Sequence, residues 1–180
     1  MNDIEFLGLA EYVSRWSKDP STKVGAVIVR PDRSVCSVGF NGFPQRMPDF
    51  PELYNDREEK YSRIVHGEIN AKEFAIDKIK GYTLYTTPFM PCDRCFVQMV
   101  QAGIVRFVAP KATKDQLTRW GPAFEKVRKY ARECCVELVE LDYISILPNL
   151  PSMAELKNRY RYINDQQNNF SCGACEMSDL

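Results

Sequence analysis

Two short stretches, His66-Gly67-Glu68 and Pro91-Cys92-Asp93-Arg94-Cys95, constrain the fold more than any other feature of the chain. One imidazole and two thiols are three ligands for a tetrahedral zinc, and a zinc with three protein ligands keeps its fourth position for water, as catalytic rather than structural sites do. A fold that uses them must carry residue 66 and residues 92–95 to one point. Glu68 stands two residues beyond the histidine, within reach of a water at such a site without ligating the metal, which suits it to general acid and base work. Each piece has other uses: a Cys-x-x-Cys pair serves redox chemistry or half of a structural zinc site, and a lone histidine is often a buried polar residue. The combination weakens them, because His66 is the one histidine in 180 residues, a glutamate sits at the required offset, and Pro91 directly precedes the pair. A non-catalytic zinc module would more often fill the fourth position with Cys or His and has no need of a carboxylate beside the metal.

Hydrophobic periodicity predicts how the chain reaches that point. Residues 3–16 read as a helix with Asp3 as N-cap and Ile4, Leu7, Leu9, Tyr12, Val13 and Trp16 at helical spacing, packed on a sheet. Residues 24–29 are nearly all apolar, as in a strand covered on both faces, and after the turn at 31–34 a second strand at 34–40 completes a hairpin. Residues 41–63 then form a long loop whose length and aromatics predict a cover over the site. A helix is expected at 66–79, with Ile69, Phe74 and Ile76 packing and Gly81 ending it. Strand 82–87, helix 92–102 and strand 104–108 form a right-handed parallel crossover, which puts both cysteines at a helix start, where thiolate is favoured. Gly121-Pro122 is expected to open a last helix to about Cys135, with a fifth strand at 136–141. The fold class is therefore α/β, a three-layer α/β/α sandwich on a five-stranded mixed sheet.

Composition bounds the rest. At 180 residues and 44% hydrophobic, the chain is one domain, 1–163 with its core at about 4–141, followed by a polar tail at 164–180 expected to be poorly ordered. Lys+Arg and Asp+Glu balance at 24 each, so no field draws the protein to nucleic acid or an acidic membrane, and small molecules become the expected partners. The first residues lack a basic leader, no apolar run is long enough to span a bilayer, and seven cysteines accompany them, which together predict a soluble protein of the reducing cytoplasm. Cys36, Cys134 and Cys135 read as small apolar residues of a strand and a helix end. Cys172 and Cys175 have the spacing of a metal or redox pair, but in a polar terminus.

The pattern H-x-E…P-C-x-x-C is the signature of zinc nucleobase deaminases. With Ser17-Lys-Asp-Pro-Ser-Thr-Lys-Val-Gly-Ala-Val-Ile-Val29, Gly39-Phe-Asn-Gly-Phe-Pro44 and Gln101-Ala-Gly-Ile104, the chain resembles the cytidine-deaminase-like superfamily over about residues 4–141, and within it the deoxycytidylate (dCMP) deaminases, especially those of phages. The resemblance implies hydrolysis of dCMP to dUMP and ammonia for thymidylate synthesis, with Zn2+ on His66, Cys92 and Cys95 and Glu68 as the acid/base. It further implies a homohexamer activated by dCTP and inhibited by dTTP, with Mg2+ accompanying the triphosphates. Asn41 would reach the substrate sugar, and Gly39, Phe40 and Gly42 would border the allosteric nucleotide; without the family, Asn41-Gly42 is an ordinary turn dipeptide. Lys23, with Arg46, Arg57 and Lys60, is a candidate for the substrate phosphate, the alternative for each being a solvated surface charge. Alternative readings of the activity are a bifunctional dCMP/dCTP deaminase and a tRNA or polynucleotide deaminase, the latter opposed by zero net charge.

Overall fold

Gly25–Val29 is buried at every position, as a strand with helices above and below must be. This strand, β1, pairs antiparallel with β2 (Val35–Phe40) on one side and with β3 (Thr83–Thr87) on the other. β4 (Arg106–Pro110) and β5 (Glu137–Leu141) extend the sheet in parallel, giving the order β2-β1-β3-β4-β5. The mixed five-stranded sheet is the expected one. The computed structural model describes residues 2–143, so the expectations for 164–180, including Cys172 and Cys175, lie outside the described residues.

Alternate residues of the strands feed two cores, because successive side chains point to opposite faces. On one face α1 (Asp3–Ser14) sets Phe6, Leu7 and Ala10 against Val27, Val29, Tyr85 and Val108. On the other, α4 (Gly67–Glu73), α5 (Asp93–Gln101) and α6 (Lys114–Glu133) cover Ala26, Ile28, Leu84 and Phe107 with Ala71, Phe96, Met99, Phe124 and Val127. Two glycines let the helices approach: a Cβ at Gly25 would lie 1.9 Å from the Ala10 carbonyl oxygen, and one at Gly39 would lie 2.3 Å from the Ala71 nitrogen.

Several boundaries differ from expectation. Asn2, not Asp3, caps α1 in a capping box with Glu5, and the helix ends at Ser14. Its buried face is Phe6, Leu7, Ala10 and Val13, while Ile4 and Trp16 are exposed. The 41–63 loop is not structureless but holds α2 (Pro51–Asn55) and α3 (Arg57–Arg63). Proline at the first turn of α2 and the Asp56 side chain, accepting from the Glu58 and Glu59 amides of α3, supply the helix starts that composition hid. The helix expected at 66–79 stops at Glu73, leaving Phe74 and Ile76 exposed. Beyond it Asp77 is held by Arg30 at 2.9 Å and Ile79 turns into the core, tertiary contacts that override helical spacing. The last helix begins at Lys114, not Gly121, because a Thr113–Gln116 capping box starts it and Gly121-Pro122 lies in its interior. Cys134 and Cys135 are exposed at its end instead of packed.

Asp3, released from capping, ties α1 to the sheet. It accepts from Arg106 Nη2 at 2.8 Å, Arg106 Nη1 at 3.2 Å and the Tyr85 hydroxyl at 2.7 Å. The Arg106 guanidinium, through its hydrogen bonds, holds the Asp3 carboxyl below the usual carboxylate range. A carboxyl depressed in the folded state contributes stability above its unfolded pKa, and that contribution is lost as pH falls through the folded value. Asp3→Asn should therefore lose about 1–2 kcal/mol at neutral pH, after allowance for partial solvent screening. Urea unfolding at pH 7 and pH 3 checks this: the deficit should narrow below about pH 4, where the unfolded carboxyl is protonated. An unchanged deficit would show that the contribution is not one of charge.

Candidate active site

Two features place residue 66. The amide of Val65 donates to the Gly42 carbonyl at 2.9 Å and the amide of Gly42 to the Val65 carbonyl at 3.1 Å, so the segment carrying α2 and α3 leaves and returns at one point. The chain then enters α4 with His66 as N-cap, as it enters α5 with Cys92 as N-cap. N-cap side chains usually accept from the helix amides. Neither His66 nor Cys92 does.

Their side chains meet each other instead. His66 Nδ1 lies 3.6 Å from Cys92 Sγ and 3.3 Å from Cys95 Sγ, and the three donor atoms all lie within 4.8 Å of one another. Zinc bonds of about 2.0–2.1 Å to nitrogen and about 2.3 Å to sulfur, at the tetrahedral angle, set a nitrogen–sulfur edge of about 3.6 Å. The spacing fits, and two thiolates with one imidazole balance a dication. Glu68, in the first turn of α4, is 4% exposed, and its Oε2 has no hydrogen-bond partner among the described residues. A buried polar atom without a partner in a cavity wall calls for a ligand from the cavity.

Proton affinities in the cluster diverge. Cys92 is drawn down to about 4, first by the hydrogen bond from Cys95 and then by His66. Cys95, on the donating side of that bond, is pushed up. His66 is raised to about 8, chiefly by its hydrogen bond with Cys92. Burial raises Glu68, with His66 opposing. A carboxyl whose proton affinity is lifted by desolvation, beside a cluster that can hold a metal, is a candidate for taking up and releasing a proton.

The cavity beside this cluster is lined by His66, Glu68 and Cys92, by Asp19 and Asn41, and by an aromatic wall of Phe89, Trp120 and Phe124. The Phe89 ring packs at a tilt against Trp120 at 4.6 Å and Phe124 at 5.5 Å, centroid to centroid. Asn41, 4% exposed, accepts from the Val24 amide at 2.7 Å and donates to the Thr22 carbonyl at 2.9 Å and Asp19 Oδ2 at 3.3 Å. Both its amide protons are engaged, which leaves one oxygen lone pair for a hydroxyl donor. Asp19 also takes Lys60 at 3.2 Å, an ion pair with both side chains 6% exposed.

The four residues expected at the metal site are together, and Asn41 and Lys60 line the same cavity. Lys23 does not: its ammonium donates to the Ser17 carbonyl, and it lines an adjoining cavity. Arg46 and Arg57 are not among the lining residues, nor are Gly39, Phe40 and Gly42. Gly39 serves the close approach of α4 to β2, Phe40 packs edge-to-face on Trp16 at 5.9 Å, and the Phe40 carbonyl accepts from Asn70 at 2.7 Å. Arg119 and Trp120 were missed because the helix that presents them was placed after them; the Thr113/Gln116 pair was the signal that could have found it.

Comparison with known proteins agrees with this geometry. Residues 1–111 match the family model described as the cytidine and deoxycytidylate deaminase zinc-binding region. The chain is 40% identical over 136 residues to an uncharacterized deaminase in the luxG 3′ region of Aliivibrio fischeri, covering 76% of this chain and 90% of that protein. It is 30% identical over 158 residues to human deoxycytidylate deaminase, covering 80% and 88%. Among solved structures, the dCMP deaminase of cyanophage S-TIM5 in complex with dCMP and dUMP superposes with a TM-score of 0.61 at 22% identity, covering 76% of this chain and 94% of that one, a likeness of fold.

Proposed function

This chain belongs to the cytidine and deoxycytidylate deaminase family, and from that membership and the geometry of its cavity we propose that it hydrolyses dCMP to dUMP and ammonia. The observation that carries the reading is the buried, unpartnered carboxylate oxygen of Glu68 beside the His66, Cys92 and Cys95 donors. Those three residues would hold zinc, which when bound supplies the Lewis acidity that makes water a nucleophile near neutral pH. Glu68 takes a proton from the water that attacks C4 of the cytosine and delivers it to N3. It then moves a second proton to the exocyclic nitrogen, which departs as ammonia, so one carboxylate acts as base and then as acid. Phe89, Trp120 and Phe124 flank the base and exclude bulk water. Asn41, fixed by three hydrogen bonds, offers its remaining lone pair to a hydroxyl of the deoxyribose.

A free nucleotide suits the balanced charge better than a polynucleotide does, because a chain with zero formal net charge has no overall field drawing it to a polyanion. Among the described residues no helix is long and apolar enough to cross a membrane. Regulation, with dCTP and Mg2+ activating and dTTP inhibiting a homohexamer, belongs to the same reading. Gly39, Phe40 and Gly42 are the segment we assign to it, since they lie beside Asn41 yet line no part of the cavity. Incubation with dCMP, dCTP, CMP, deoxycytidine and a tRNA hairpin, with products resolved chromatographically, tests the whole. The expected result is turnover of dCMP above all others, sigmoidal in dCMP, hyperbolic with dCTP and Mg2+, and suppressed by dTTP. Preference for the hairpin would refute the substrate, and a hyperbola indifferent to either triphosphate would refute the regulation.

A further inference from the structure

The catalytic cavity has a neighbour. A second cavity shares Ser21, Thr22, Phe89, Arg119 and Trp120 with the first but contains none of His66, Glu68, Cys92 or Asn41. A nucleotide with its base at Glu68 and its sugar at Asn41 therefore has its far end at this common wall. The charges there are unequal. Lys60 is paired with Asp19, whereas none of the ion pairs among the described residues includes Arg119; Asp115, the carboxylate on the wall of the second cavity, is not within ion-pair distance of it. The Arg119 guanidinium lies over the Trp120 ring at 4.4 Å from its centroid, and its Nη2 is 3.4 Å from the Tyr61 hydroxyl, a contact that spans α3 and α6. Stacking holds the planar fork and leaves N–H edges for an anion. Ser21 Oγ, which accepts from Lys60 at 3.1 Å, keeps its own proton to donate to the same anion.

Resting on the deaminase reading, we propose that Arg119 is the specificity-determining residue for the 5′-phosphate: its guanidinium at the junction of the two cavities, with the Ser21 hydroxyl, binds a nucleoside monophosphate and discriminates against the nucleoside. Bidentate pairing of arginine with phosphate is stronger and more directional than a point charge can supply. Lys23 lines the second cavity but not the first, and its ammonium donates to the Ser17 carbonyl.

The test compares wild type, Arg119→Gln and Arg119→Lys, all zinc-loaded. The ratio of kcat/KM for dCMP over deoxycytidine should fall about 100-fold in Arg119→Gln, the loss of two charge-assisted hydrogen bonds, and recover in part in Arg119→Lys. Calorimetry with dUMP and deoxyuridine should show the same drop in their affinity ratio, and inorganic phosphate should compete with dUMP in wild type but not in Arg119→Gln. An unchanged ratio, or an equal loss for nucleotide and nucleoside, would overturn the proposal, with thermal melting of each variant identifying a mere loss of fold. If wild type deaminated neither compound while dUMP binding still depended on Arg119, the deaminase reading would fail and the anion site would stand.

Discussion

Replacing Glu68 by glutamine should reduce dCMP turnover by about 10⁴-fold, the upper end of what one general acid/base contributes, because in the proposed mechanism the same carboxylate serves every proton transfer. An amide of the same shape cannot accept the proton of the attacking water. The variant should nonetheless retain its metal, since Glu68 is not among the three donors that converge within 4.8 Å. It should also melt no lower than wild type. Burial already disfavours the charged form of Glu68, and one of its oxygens lacks a partner, so a neutral side chain relieves desolvation. Loss of activity without loss of stability is the pattern of a group held in place for chemistry. Kinetics, zinc content and thermal melting of one preparation decide it. Turnover above about a hundredth of wild type would mean that another base serves the reaction.

The second large effect concerns the metal. Cys95 is buried and lies in the first turn of α5. Cys95→Ser replaces a soft thiolate by a hydroxyl that does not ionise near neutral pH, so zinc should fall from one per chain to a small fraction of that. A metal bound at about 1,000 times its dissociation constant stabilises the folded state by about 4 kcal/mol, which for a domain of this size is a fall in Tm of about 10 °C. Cys134→Ser is the control, since Cys134 is exposed at the end of α6 and should change neither zinc nor Tm. Metal analysis and scanning calorimetry on both variants check the pair. Full zinc occupancy in Cys95→Ser would remove Cys95 from the ligand set, and loss of zinc in Cys134→Ser would show that the control cysteine is not a bystander.

The cluster of His66, Cys92 and Cys95 with Glu68 beside it was legible in the primary structure because its pattern is local: Glu68 is two residues from His66, Cys95 three from Cys92, and a ligand set is defined by residue type and spacing. The sheet was legible for a similar reason. Burial on both faces leaves a continuous apolar run at Gly25–Val29, and a crossover between β3 and β4 leaves a helix pattern between two strands. Helix bounds were less so. Gly121-Pro122 reads as a start wherever local preference alone decides, yet Trp120 and Phe124 on either side pack against Phe89 and hold the helix through it. Ile76 has helical spacing but is exposed, because Asp77 and Ile79 find partners elsewhere in the sheet layers.

At the proposed substrate end of the cavity, Asn41 and Lys60 were candidates from the sequence, whereas Asp19 and Arg119 came from tertiary structure alone. Asp19, Asn41, Lys60 and Arg119 come from two loops and two helices up to a hundred residues apart, and of these only Asn41 stands in a segment that the family resemblance singles out. Whether a lysine is a solvated surface charge or half of a buried pair depends on what the fold brings against it. Lys60 and Lys23 looked alike by type and loop position, and only the packing of α3 on the Ser17–Val24 segment buries the first against Asp19 and turns the second away to the Ser17 carbonyl. Chain spacing can specify a metal site, because its ligands need only be near neighbours of a few fixed types. A binding surface for a whole nucleotide spans more of the molecule than any local pattern reaches, so its residues are chosen by the approach of elements that the core, and not the motif, holds together.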